Sequence, residues 1–271
     1  MLTSRAAWTG ALAVALVPVL RVWATVVADR TRSLERMASG GEPLGLSEGT
    51  GWAMLVDGWR AGLILGTALL LVQAARSLAG DRETGVLRLA VTRSASRAGA
   101  IVGRALVGPL LVAILLAVSG LAAYLATRAL GGDFGDLVED DFTIFTADEV
   151  RVELGRALVV VTLGLVAVHA FGLWISSMAR GPVLALAGSL AALLLWDVFK
   201  GDVGEPKWTV FASHAPTFAD GSAMAEMAGF ARGYSDAGLP EVVQNMGMVL
   251  CPLEAVLFVL LAWVLLRRKP L

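Results

Sequence analysis

The sequence predicts an all-α integral membrane protein with six transmembrane helices. Of its 271 residues, 57% are hydrophobic and only 17% are charged, and the mean hydropathy is +0.73. This apolar share exceeds that of an ordinary soluble domain. The apolar residues also fall into runs of about 20, the length that a helix needs to cross a bilayer core about 30 Å thick. Lipid is therefore the expected solvent for much of the chain.

Six apolar stretches qualify as spans, and each is expected to be helical. Lipid offers exposed backbone no hydrogen-bond partner, and the continuous runs lack the alternation of barrel strands. The approximate spans are Ala6–Ala28, Trp59–Leu78, Ala100–Ala126, Gly155–Met178, Pro182–Phe199 and Gly247–Leu266. We expect one membrane domain over residues 1–271, with a cytoplasmic loop at 80–99 and outer loops at 29–58, 127–154 and 200–246. In the last loop, Ser222 to Arg232 are predicted to form a short helix.

The basic residues predict that both termini are cytoplasmic. Arginines and lysines in short loops stay preferentially on the cytoplasmic side. They precede the first span, follow the second and fourth spans, and follow the sixth. Those positions are Arg5, Arg76, Arg82, Arg88, Arg93, Arg97, Arg180, Arg267, Arg268 and Lys269. The first span has an alternative interpretation as a cleaved signal peptide, with Val26 to Ala28 as the cleavage site.

Charge and cysteine content exclude several classes of protein. The net charge is −1, so no basic field favours nucleic acid as a partner. One cysteine, Cys251, excludes an internal disulfide framework. Two histidines and one cysteine are too few for a typical structural zinc site, which needs four nitrogen or sulfur ligands. We therefore predict no metal and no cofactor bound by this chain.

We single out four of the ionisable side chains that fall inside the predicted spans. An arginine or aspartate at mid-helix costs about 2.5–3.5 kcal/mol on insertion scales, so each such residue is a functional candidate. The four are Arg21, His169, Asp197 and Glu254. Arg21 and Asp197 are placed near the outer interface, where a structural role is favoured. Glu254 follows Pro252, which frees backbone carbonyls nearby.

The segment from Gly80 to Gly103 is the strongest functional candidate. It reads GDRETGVLRLAVTRSASRAGAIVG and combines a polar, helix-compatible start with the apolar surface Val86 to Val91. Such a surface favours a short helix in the membrane plane that contacts lipid or a partner. A solvated loop whose arginines only set the topology is the alternative.

This segment resembles the cytoplasmic loop of type 2 ABC exporter permeases. The resemblance rests on Asp81-Arg82-Glu83-Thr84-Gly85-Val86-Leu87, on Ser96-Arg97 and on Gly103-Arg104. The run from Gly172 to Arg180 is similar to the exit of the fourth span in that family. The chain departs from the pattern at Asp81, Val86, Ser94 and Arg104, and it lacks the amphipathic helix that usually precedes the first span.

The resemblance implies that the loop docks into a separate ATP-hydrolysing subunit. The implied contact residues are Asp81, Arg82, Glu83, Gly85, Leu87, Arg88, Arg93 and Arg97. ATP and Mg²⁺ would be bound by that partner, because the sequence has no GxxxxGK[ST] phosphate loop. Six spans are half of the family's usual set, so a dimer or a related second permease in a bacterial inner membrane is implied. The loop at 200–246 would be the place for an outer-side partner.

Three other functions stay open on the sequence. A secondary transporter or a membrane anchor without an ATPase is the main alternative. An intramembrane hydrolase is a remote one, since Ser119 and His169 provide a nucleophile and a base. The sulfur-bearing residues Met224, Met227, Met246, Met248 and Cys251 suit Cu(I), although methionines at helical spacing more often pack than ligate.

Overall fold

The computed structural model describes residues 5–39, 50–86, 96–139, 142–218, 222–234 and 238–268. The long helices are α1 (Arg5–Ala38), α2 (Thr50–Glu83), α3 (Arg97–Ala129), α4 (Ala147–Met178), α5 (Pro182–Val203) and α8 (Glu241–Arg268). The short elements are the strands β1 (Leu137–Glu139) and β2 (Phe142–Phe145), a 3₁₀ helix (Glu205–Thr209), α6 (Phe211–His214) and α7 (Ala223–Phe230).

The six long helices confirm the predicted fold of a polytopic helical membrane protein. Each is long and apolar enough to cross a membrane, with a most apolar window of mean hydropathy between 1.6 and 2.6. The windows of α2 and α4 are 56% and 61% buried, whereas the other four are each 22% buried. Those four helices therefore leave much apolar surface for lipid or for another chain to cover.

The helices extend beyond the predicted spans into the segment 29–58. α1 continues to Ala38 and α2 already begins at Thr50. The reason is that hydropathy marks the membrane-crossing length, whereas a helix continues into polar sequence when local pairs support it. Arg32 donates to Asp29 at 3.2 Å, three residues away on the same helix.

The start of α4 shows such local support most clearly. α4 begins at Ala147 and not near Gly155, because Thr146 and Glu149 form a capping box. The Thr146 amide donates to Glu149 Oε2 at 2.8 Å, and the Glu149 amide donates back to Thr146 Oγ1 at 3.3 Å. This T-x-x-E signal is present in the sequence, but the span was placed by hydropathy, which begins later in the chain.

Two of the predicted outer loops contain regular structure. The segment 127–154 holds the antiparallel hairpin β1–β2, which the sequence analysis did not predict. The segment 200–246 holds the end of α5, the 3₁₀ helix, α6, α7 and the start of α8. The predicted short helix within it is present as α7, and Met224 and Met227 on its apolar side are fully buried.

The contacts divide the chain into two compact units. Unit 1 is Met1–Leu65, Leu115–Leu158 and Met224–Leu239, and unit 2 is Gly66–Ile114, Val159–Ala223 and Pro240–Leu271. In unit 1, α1 and α2 approach closely because α2 carries glycine at the contact. A Cβ atom on Gly62 would lie 2.6 Å from Pro18 Cγ, so any larger residue would push the helices apart.

Unit 2 has its own apolar core. Ala74 and Leu78 of α2 pack with Ile101 of α3, Leu173 of α4 and Leu266 of α8. A Cβ atom on Gly172 would lie 2.7 Å from the Ala74 Cβ, so α2 and α4 are also in close contact here. Close packing of small residues is the usual way that membrane helices associate, because lipid provides no hydrophobic drive.

Candidate functional site

The implied contact residues of the loop at 80–99 begin in the last turn of α2. Asp81, Arg82 and Glu83 end that helix, and Gly85 follows two residues later. Leu87, Arg88 and Arg93 lie outside the described residues. Arg97 begins α3, and its side chain is also outside them. The structure therefore shows how the predicted loop is attached to the helices on either side.

Arg82 attaches the end of α2 to the end of α4. Its Nη2 donates to the backbone carbonyls of Ser176 at 2.5 Å and Ala179 at 2.8 Å. Carbonyls at a helix C-terminus lack partners within the helix and carry partial negative charge. A guanidinium is well suited to cap them, because it presents several fixed donors and stays charged. Arg82 thus does more than set the topology.

Ser176 links the same two helices from the opposite direction. Its hydroxyl oxygen accepts hydrogen bonds from the backbone amides of Leu78 at 3.1 Å and Ala79 at 2.9 Å. Ser176 is fully buried. The hydroxyl and the backbone carbonyl of Ser176 therefore both accept hydrogen bonds from α2. These bonds fix the position of the end of α2 along the end of α4.

Asp81 attaches the end of α2 to α3. Its carboxylate pairs with Arg104, and both side chains are about a quarter exposed. The backbone carbonyl of Arg104 in turn lies 3.2 Å from His169 Nε2 on α4, which assigns the proton to that nitrogen as donor. His169 is buried, and Gly108 of α3 leaves room for its ring. The intramembrane histidine is therefore part of the α3–α4 contact.

We call Asp81, Arg82, Arg104, Ser176 and Ala179 the loop anchor. All five belong to unit 2, and they join the first residues of the predicted loop to α3 and to α4. Gly85 then turns the chain with φ +72°, a conformation that favours glycine. Displacement of the loop would therefore be resisted by two helices at once. Arg104 and Ser176 were named in the sequence analysis only as parts of motifs, without a role.

Arg21 lies in a charged cluster of unit 1. Its Nη2 is 3.8 Å from a carboxylate oxygen of Asp57, and Arg232 donates to that same carboxylate oxygen. Asp57 is only 5% exposed, whereas Arg21 is 52% exposed. Asp57 and Arg232 were missed because both fell in predicted loops. The sequence feature that could have revealed this cluster is Asp57, an acid within an apolar run seven residues after Thr50.

Asp197 forms a buried ion pair with Lys200, one turn later on α5. Lys200 Nζ lies 2.7 Å from Asp197 Oδ1 and donates to Thr217 Oγ1 at 2.8 Å. Lys200 is 2% exposed and lies within α5. The i,i+3 spacing of an acid and a base was the available signal.

Glu254 caps a short helix. Its Oε2 accepts a hydrogen bond from the backbone amide of Phe211 at 2.8 Å, and Phe211 is the first residue of α6. Val210, the residue before α6, makes no side-chain hydrogen bond to the helix, so Glu254 on α8 accepts the hydrogen bond that a capping residue would usually accept. Phe171, Trp174 and Phe258 surround this contact as an aromatic cluster with Phe211.

The structure places Ser119 of the hydrolase alternative and Cys251 of the copper alternative. Ser119 Oγ donates to the Leu115 carbonyl of its own helix at 2.6 Å. Within the described residues, no group of three or more histidine, cysteine, aspartate or glutamate side chains is arranged to hold a metal ion. Cys251 is a buried free thiol. These placements add no support to either alternative.

No protein-family model matches the chain, and no curated protein matches it in sequence.

Proposed function

We propose that this chain is the membrane-spanning subunit of an ATP-driven exporter. In this proposal a separate cytoplasmic ATPase contacts the loop at 80–99, and movement of that ATPase is passed to the spans. The proposal rests on the resemblance of the loop sequence, and the loop anchor is the observation that supports it best.

The loop anchor suits force transmission because its links are polar contacts that join the end of α2 to both α3 and α4. Arg82 makes two charge-assisted hydrogen bonds to the end of α4, and such bonds are about twice as strong as neutral ones. Leu78 of α2 packs in the same core as Ile101 of α3 and Leu173 of α4. Since packed cores resist continuous deformation, a push on the loop would move these helix ends together.

Membership of a larger assembly is supported by the apolar surface of the chain. Side chains on α5 and α8 are strongly exposed, including Val183, Val198, Val242 and Leu253. Lipid would cover such surface, and so would a second copy or a related permease that completes the usual set of spans. In this proposal the assembly lies in a bacterial inner membrane with both termini cytoplasmic, and ATP and Mg²⁺ are bound by the ATPase alone.

The test is affinity purification of the full chain from membranes of its source cells, followed by mass spectrometry and an ATPase assay. The chain is expected to copurify with an ABC-type ATPase. Reversing the loop charge in Arg88→Glu should weaken that association by roughly tenfold or more, because like charges now face each other. Arg180→Glu is the matched control: it reverses a charge on the same predicted side but outside the loop.

Arg82→Gln separates docking from transmission. It keeps the other seven implied contact residues but replaces the charged cap of α4, so binding of the ATPase should fall much less than its stimulation by the membrane subunit. Absence of any ATPase from the purified chain would overturn the proposal and favour a secondary transporter or an anchor. Equal loss of association in Arg88→Glu and Arg180→Glu would show that the loop is not the contact.

A further inference from the structure

Unit 1 contains a cavity of about 550 Å³ that the proposed function does not use. α1 lines it with Arg21, Asp29 and Arg32, α2 with Asp57, and the segment after α7 with Arg232 and Tyr234, among other residues. The hairpin contributes apolar side chains, one of which is Ile144. All of these residues belong to unit 1, so the cavity is a feature of that unit alone.

The charges that line the cavity do not balance. Three arginines face two aspartates, which leaves a surplus of one positive charge. Asp29 is paired with Arg32 at 3.2 Å, so Asp57 must serve both Arg21 and Arg232. Arg232 holds the hydrogen bond to Asp57, whereas Arg21 is 3.8 Å away, beyond hydrogen-bond distance. The Arg21 guanidinium is thus placed to donate to an additional anion.

Arg21 is unusual because it lies within a membrane-length helix. The apolar span of α1 runs from Thr9 to Glu35, and Leu16, Leu20 and Trp23 on it are exposed. A charge in such a helix is costly unless it reaches water or an opposite charge. A lipid phosphate beside the helix would supply that opposite charge, and the acyl chains would cover the neighbouring apolar residues.

The shape of the cavity fits an elongated headgroup. Its α1 wall runs from Arg21 to Arg32, eleven residues or about 16 Å along the helix axis. Between these arginines the wall is made of the small side chains Ala24, Thr25 and Ala28 and of Asp29, whose charge is paired with Arg32. The planar guanidinium matches the geometry of phosphate oxygens, and the Tyr234 hydroxyl adds another donor.

We infer that this cavity binds a phosphate-bearing anionic amphiphile by its headgroup, with Arg21 as the main phosphate contact. The inference does not depend on an ATPase partner, because the site is complete within unit 1 of the isolated chain. If the proposed exporter function were wrong, the cavity would still be expected to bind this ligand. If the cavity bound no such ligand, the proposed exporter function would be unaffected.

The test is a lipid titration of the purified full chain in neutral detergent, followed by native mass spectrometry. Phosphatidylglycerol should bind saturably and more tightly than zwitterionic phosphatidylcholine. Arg21→Gln should weaken phosphatidylglycerol roughly tenfold, the value of one charge-assisted hydrogen bond, while the pair of Asp57 and Arg232 stays intact. Arg156→Gln is the matched control, since Arg156 is a half-exposed arginine of unit 1 that pairs with Glu153 and does not line the cavity.

Two further arms decide the source of the phosphate and guard against misfolding. If glycerol 1-phosphate binds as tightly as phosphatidylglycerol, the acyl chains contribute nothing to binding. The ligand of the cavity would then be a soluble phosphate ester, and the inference of an amphiphile would be overturned. Arg32→Gln removes a second lining arginine that is largely exposed, so its weakening of phosphatidylglycerol supports the site even if Arg21→Gln fails to fold. Equal binding by wild type, both cavity variants and Arg156→Gln would overturn the inference.

Discussion

The charged cluster of unit 1 and the loop anchor of unit 2 use arginine in different ways. In the loop anchor each guanidinium has its own acceptors: Arg82 bonds two helix-end carbonyls, and Arg104 bonds Asp81. In the unit 1 cluster one carboxylate, Asp57, is shared by Arg21 and Arg232. A balanced set of partners fixes helices in place, whereas a shared partner leaves positive charge for a ligand. The same residue type is therefore structural in one region and a binding candidate in the other.

The largest expected effect follows from removing the shared carboxylate. Asp57 is almost fully buried, whereas Arg21 and Arg232 are about half exposed, so Asp57→Asn loses the charge-assisted bond to Arg232 and should destabilise the protein by about 2 kcal/mol. Asp81→Asn breaks a one-to-one pair that is about a quarter exposed and should cost only about 1 kcal/mol. Thermal unfolding of both variants in the same detergent checks the difference. Equal losses would show that sharing a carboxylate does not distinguish the two regions.

A medium effect is expected where the chain leaves the loop anchor. Gly85 has φ +72°, and a Cβ there would meet no atom within 4 Å. Gly85→Ala should therefore cost about 1 kcal/mol through backbone strain alone. Gly80 also has open space around it but lies inside α2, where alanine is the better helix former, so Gly80→Ala should be neutral or slightly stabilising. Melting temperatures that shift in the same direction would contradict this account of the turn.

The last expected effect is a dependence of stability on pH, and it concerns a residue outside both regions. His214 of α6 is fully buried, its Nε2 donates to the Trp208 carbonyl at 2.8 Å, and burial lowers its pKa. A lowered folded pKa means that the unfolded chain binds more protons, so stability should fall as pH drops below about 6.5. The loss is at most about 1.4 kcal/mol per pH unit for one proton. His214→Gln, which can still donate to Trp208, should show a flatter dependence on pH between 5 and 7.

The sequence was sufficient for the six helices because lipid imposes a length and a composition on every span. Those two properties are local, so a window of residues carries them. The ends of the helices were harder to predict from the sequence. The capping box of Thr146 and Glu149 is also local, but it competes with a hydropathy signal that ends elsewhere. The β1–β2 hairpin carries too few residues, and too little alternation among its acids, to predict strands.

For the candidate site, the sequence located the loop and its motif residues, and only the tertiary structure decided what they bond. Nothing in the order of residues indicates that Arg82 caps α4 at carbonyls 94 and 97 residues away, or that Arg232 reaches Asp57. Likewise, Glu254 stood out as an acid within a predicted span, but its acceptance of the Phe211 amide depends on where α6 packs. A single chain determines which side chains are costly to bury, because that cost belongs to the residue. Which partner offsets the cost depends on contacts between distant segments, and these are set only when the helices pack.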